Sequence, residues 1–310
     1  MMRIGVPRAL SFFRFHPAWQ TFFQQLGVEF VVSPPSNRVT LETGRSHTVP
    51  ENCLPLKLFY GHVCALAGQV DYLLAPSIHR FAPGSTNCAK LIGLPDLLRA
   101  TIPNLPPLLA PDIDLSRGLP AVLALVTKLG LPFTYNPLLL RDAVMASWSA
   151  YLRAREAMRQ GRLTPAGFDC TGTSSPVLGD PTIAVVGHPY NLYDPFVNHN
   201  LLARLDRLGV GILTPERLGP WPVDDYWAFE YELIGATKLA LDRKEVAGII
   251  AVLAFGCGPD GAILEEVQRL TRAAAVPLMT LTLDEHSAEA GLLTRIEAFV
   301  DMLNWRRRRG

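Results

Sequence analysis

Apolar residues fall along the chain in short continuous runs, and between the runs they recur at helical spacing. The runs at 3–7, 28–33, 70–76 and 107–111 read as short apolar strands, the one at 70–76 of the fully buried kind. The stretches 17–26, 54–69, 94–100, 121–129 and 137–160 read as helices. A second series follows, with strands at 182–187, 210–213, 247–254 and 277–283 and helices at 197–208, 226–241, 262–275 and 288–305. Strands separated by helices of about 10–20 residues imply parallel sheets covered on both faces. The expectation is an α/β protein of two doubly wound, Rossmann-like domains with a cleft between them. Residues 161–181 hold four Gly, three Pro, three Thr and two Ser, which is linker composition. The expected division is 1–161, a linker at 162–181, and 182–310. Ligands of such sheets bind outside the carboxyl ends of the strands, so the loops after the strands are where chemistry belongs.

Composition narrows the function classes. The chain has 310 residues, enough for two domains, and 49% hydrophobic against 18% charged residues excludes disorder. A net charge of +1 argues against a nucleic-acid partner. The charge is nevertheless split: residues 1–161 hold 15 Lys+Arg and 9 Asp+Glu, and the remainder hold 14 and 19. The four arginines at 306–309 read as a solvated tail. No apolar run approaches the ~18 residues of a membrane span, and the N-terminus lacks the apolar core of a signal peptide. A cytoplasmic, thiol-reducing location is the resulting expectation.

Five cysteines are too few and too scattered for a disulfide scaffold. Cys53, Cys88 and Cys257 share a setting, each at a transition from loop to expected helix. There the exposed N–H groups and the helix dipole favour a thiolate and an anionic metal centre. Gly256 and Gly258, on either side of Cys257, let backbone approach a bulky group. Cys64 lies ~16 Å along the same helix from Cys53, too far for one small cluster, and reads as structural. Cys170 falls in the linker and reads as incidental. The spacing matches no zinc motif. Three thiolates from separate loops suit a [4Fe–4S] cluster with one iron open. Lys57, one turn into the helix after Cys53, is placed to offset cluster charge, and Ser85 and Thr86, near Cys88, to donate to sulfide.

Other polar residues sit at strand ends. His188, Tyr190, Tyr193 and Asp194 occupy the loop after strand 182–187, positions suited to ligation, proton transfer or simply closing a turn. Glu285, within Asp284-Glu285-His286, follows strand 277–283, where Asp284 or Ser287 also suits a helix cap. His188, Tyr190 and Glu285 are the catalytic candidates. The chain has no G-x-x-x-x-G-K-[ST] loop, so it is not expected to be an ATPase.

At these residues the sequence resembles the acyl-CoA dehydratase activase-related proteins, grouped with 2-hydroxyacyl-CoA dehydratase subunits and double-cubane-cluster proteins. The resemblance runs through Ile4-Gly5-Val6-Pro7-Arg8-Ala9-Leu10, Cys53-Leu54-Pro55-Leu56-Lys57, Gly187-His188-Pro189-Tyr190-Asn191-Leu192-Tyr193-Asp194-Pro195 and Phe255-Gly256-Cys257-Gly258-Pro259-Asp260. It implies a cluster, of [4Fe–4S] or double-cubane type, held by Cys53, Cys88 and Cys257 between two lobes. It further implies low-potential one-electron reduction, an ATP-dependent activator or reductase supplied in trans, and an acyl-CoA or other small molecule as substrate. A homo- or heterodimer fits the same family. The alternatives are a cluster carrier, scaffold or regulatory module without a substrate, and a metal-free α/β protein that binds a nucleotide or CoA.

Overall fold

The computed structural model describes residues 1–80, 86–165, 179–219 and 230–309. In chain order the first series is β1 (Arg3–Val6), α1 (Phe12–Gln25), β2 (Glu29–Val32), α2 (Arg38–Ser46), α3 (Leu54–Leu66), β3 (Tyr72–Leu74), β4 (Ser77–Arg80), α4 (Ala89–Ile92), α5 (Leu94–Thr101), β5 (Leu108–Leu109), β6 (Asp112–Asp114), α6 (Leu119–Gly130) and α7 (Pro137–Arg159). The second is β7 (Thr182–Gly187), α8 (Pro189–Leu192), α9 (Leu201–Arg207), β8 (Gly211–Leu213), α10 (Pro215–Leu218), α11 (Glu230–Leu241), β9 (Val246–Ala254), α12 (Gly258–Ala273), β10 (Leu278–Leu283) and α13 (Glu289–Arg307).

Packing divides the chain into two compact units. The first comprises Met1–Asn52 and Leu56–Ala154. The second holds Cys53–Pro55 and nearly all the chain from Arg155 onward. Cys53 thus groups with the second unit although its sequence neighbours on both sides belong to the first. The proposed linker centre, including Cys170, lies outside the described residues.

Each unit is built on a parallel four-stranded sheet with helices packed against it, the α/β class expected. The first runs β2-β1-β3-β5, with Ile4 opposite Phe30 and Tyr72. A short parallel pair, β4-β6, accompanies it. The second runs β10-β9-β7-β8. Its central pair is buried almost throughout, which is why β7 and β9 read as unbroken apolar runs. Chain order reverses direction at β7: β8 lies on one side and β9 on the other. A crevice forms at such a reversal outside the carboxyl ends of the strands, which places the chemistry after Gly187 and Ala254.

Some elements differ from expectation. The first helix begins at Phe12, more than a turn before Pro17, because Phe12, Phe13 and His16 are buried with Trp19, Phe22 and Phe23 on one face. That burial outweighs the single N–H lost at Pro17. The polar helix α2 was not anticipated; Asn37 caps it by accepting from the Thr40 N–H. Two glycines seat it against α3. A Cβ on Gly44 would lie 1.8 Å from the Lys57 carbonyl oxygen, and one on Gly61 would lie 1.9 Å from that of Thr40. No helix among the described residues is long and apolar enough to cross a membrane.

Candidate metal centre

Three side chains from two adjacent strand ends converge in the second unit. β7 ends at Gly187, opposite Val252 of β9, and a Cβ on Gly187 would meet the Val252 carbonyl oxygen at 2.6 Å. His188 follows directly and starts the short helix α8. After β9 the chain turns through Gly256, whose φ of 75° suits glycine, into Cys257, the N-cap of α12. One turn into α12, at its third position, stands Asp260. Ligand atoms of His188, Cys257 and Asp260 all lie within 4.8 Å of one another.

The histidine and the carboxylate are almost wholly buried, at 1% and 2% side-chain exposure, while Cys257 is half-buried. Asp260 Oδ2 accepts the Ala254 N–H at 2.9 Å, which ties the carboxylate to the end of β9. Its other oxygen stands 2.8 Å from His188 Nε2, close enough for a hydrogen bond but without an aligned one. A buried carboxylate oxygen in that state calls for a cation or a proton. The N-terminal end of α12 adds positive potential beside the Cys257 sulfur.

The donor set fits a metal. Thiolate sulfur and imidazole nitrogen suit iron or zinc, and the carboxylate adds a charged oxygen. At Gly258, next in sequence to Cys257, a Cβ would meet nothing within 4 Å. Phe255, two residues before Cys257, is exposed.

The sequence candidates are placed as follows. Cys257, Gly256, Gly258 and His188 stand at the site, and the Tyr190 ring stacks on His188 with centroids 5.0 Å apart. Cys53 and Glu285 are outside the gathered group. Cys88 is the N-cap of α4 in the first unit. Thr86 is exposed, Lys57 is buried on α3, and Ser85 lies outside the described residues. Asp194 accepts the N–H groups of Phe196 and Val197, and Tyr193 donates its hydroxyl to Glu216, so both shape the loop. Burial, then Glu216, raise the Tyr193 pKa well above the usual phenol range. Asp284 accepts from His286 N–H and the Ser287 hydroxyl and closes a turn before α13. Cys64 lies 3.8 Å from His47 Nδ1, its thiol pKa raised by burial.

Asp260 is the site residue that sequence reasoning missed. An acid at the third position of a helix reads as dipole compensation or capping. The available signal was the Cys-x-x-Asp spacing, which sets a thiol and a carboxylate one turn apart at a strand-to-helix junction.

A family model described as CoA enzyme activase uncharacterised domain (DUF2229) matches residues 3–218, well over half the chain. No curated protein matches it.

Proposed function

The chain belongs to the CoA enzyme activase family of that description, and from this premise we propose that it is a metal–thiolate protein acting in low-potential electron transfer to CoA-type chemistry. In this reading Cys257 anchors an iron–sulfur cluster, with Cys53 and Cys88 as the further thiolates. The observation that carries it is the buried Asp260 oxygen facing His188 beside the Cys257 sulfur.

A bound cluster would accept and pass on one electron at low potential. The protein's own residues do the rest. The Ala254 N–H fixes the Asp260 carboxylate, which holds its second oxygen 2.8 Å from His188 Nε2. Tyr190, stacked on the ring, limits its rotation. The chain lacks a Walker-type phosphate loop, so the reading includes an ATP-dependent activator supplied in trans and an acyl-CoA dehydratase or reductase step as the destination of the electron.

The mixed nitrogen, sulfur and oxygen donors favour a second reading, a single divalent cation held by His188, Cys257 and Asp260 alone. Anaerobic reconstitution of the full chain with iron and sulfide separates the two. The cluster reading expects iron and acid-labile sulfide in equal amounts, a visible thiolate-to-iron band, and loss of both in Cys257→Ala. It also expects Cys53→Ser and Cys88→Ser each to disrupt the cluster. One metal ion without sulfide, indifferent to Cys53 and Cys88, supports the single-cation reading and rejects the cluster.

A further inference from the structure

Asn87, Asn191 and Asn198 are buried asparagines, and the last two share the loop after β7. Asn198 is fully used. Its Nδ2 donates to the Asn191 and Leu192 carbonyls at 3.0 and 2.6 Å, and its Oδ1 accepts the Leu201 N–H at 3.2 Å. Asn191 is 0% exposed, yet neither its Nδ2 nor its Oδ1 has a hydrogen-bond partner among the described residues. Asn87, whose carboxamide is orphaned in the same way, directly precedes Cys88.

A carboxamide buried without partners has lost its hydration for no return, so an apolar side chain of similar size would be more stable in its place. Such a group points to a function or to a partner that arrives later. Its position indicates the partner. The Asn191 N–H donates to the His188 carbonyl at 2.9 Å, which closes one turn and brings the two residues to the same side of α8. α8 packs against β7 and β9, and Leu192 Cδ2 lies 3.1 Å from where a Cβ on Gly187 would stand. Asn191 is thus enclosed at the strand ends where His188, Cys257 and Asp260 gather.

Three protein donors leave one position of a four-coordinate metal open. An oxygen ligand there satisfies both atoms of a carboxamide: its O–H donates to Oδ1 and its oxygen accepts from Nδ2. Sulfide would serve Nδ2 alone. We propose that Asn191 is a ligand-binding residue of the metal centre, whose carboxamide finds its partner in an oxygen ligand held by the metal, water or the hydroxyl of a small substrate. The inference rests on the metal reading above, in either of its forms.

The test compares the full chain as wild type, Asn191→Leu and Asn198→Leu, each metal-free and loaded anaerobically with zinc alone or with iron and sulfide. Melting is followed by circular dichroism and metal affinity by chelator competition. Metal-free Asn191→Leu should melt about 3 °C or more above wild type, because an orphaned amide is gone, while its metal affinity falls about tenfold. Asn198→Leu should melt below wild type with and without metal, as loss of a satisfied carboxamide does. Asn191→Ala, which adds no bulk, should lose metal affinity to the same degree as Asn191→Leu. Metal-free melts below wild type in both Asn191 variants overturn the proposal, because they make the carboxamide structural, an internal water included. Metal affinity equal to wild type in those variants overturns it as well and leaves the metal reading standing. A wild type that takes up no metal overturns both together.

Discussion

Two buried histidines, one in each unit, show how neighbours decide whether an imidazole is structural or chemical. His62 Nδ1 is 2.9 Å from Ser33 Oγ and its Nε2 is 2.9 Å from Ser36 Oγ. Ser33 Oγ also accepts the Arg8 N–H. Burial, and then the Arg8 charge, lower the His62 pKa to about 3. Both nitrogens are occupied by neutral partners, and the ring locks the loops after β1 and β2 onto α3. His188 instead faces a buried carboxylate, with a half-buried thiol beside it. An acid in place of two hydroxyls turns a buried histidine from a fastener into a potential ligand or proton carrier.

Exchanging the ring for an apolar one separates these roles most strongly. His62→Phe should cost about 3 kcal/mol of stability, because Ser33 and Ser36 lose a buried partner, while metal uptake stays as in the wild type. His188→Phe should do the reverse, lowering metal affinity by about 100-fold. Denaturant melts and metal titrations on both variants check the pair. If His62→Phe abolishes metal binding as well, the contrast fails.

Packing around His62 comes next. Gly61→Ala puts a Cβ against the Thr40 backbone and should destabilise the chain by about 2–3 kcal/mol. A melt within experimental error of the wild type would show that α2 and α3 are not in this close contact.

The pH dependence is the third test. His62 is neutral when folded until about pH 3, whereas in the unfolded chain it takes up a proton near pH 6.5. The unfolded state therefore gains protons first, so stability falls as pH drops below 6.5 and the loss is complete near 3. At pH 5 it should amount to about 2 kcal/mol. In His62→Gln the slope between pH 7 and 5 should flatten; an unchanged slope would assign it to other groups. The smallest effect concerns α2, where Asn37→Ala should cost about 1 kcal/mol through loss of the cap to the Thr40 N–H.

What could be read from the sequence followed the strength of burial. β7, β9 and β10 lie close to the expected ranges because buried parallel strands leave long apolar runs. The parallel order, and with it the strand-end position of His188 and Cys257, came from the same pattern. α2 was invisible because its sequence is polar and contains Gly44, and its stability comes from Asn37 and close contact with α3. The grouping of Cys53–Pro55 with the second unit has no local signal, since tertiary packing alone creates it. Asp260 was hidden for a different reason: its position already had an ordinary explanation, and only the approach of His188 from another strand gives it a second role.

Both proposed readings require a metal centre that includes Cys257, next to His188 and Asp260. Metal content after anaerobic reconstitution of the full chain, compared among wild type, Cys257→Ala and Asp260→Asn, tests it most directly. The expected result is bound metal in the wild type, none in Cys257→Ala, and affinity reduced about 10–100-fold in Asp260→Asn, all with unchanged circular dichroism. Equal metal content in all three proteins, or none in any, would contradict it.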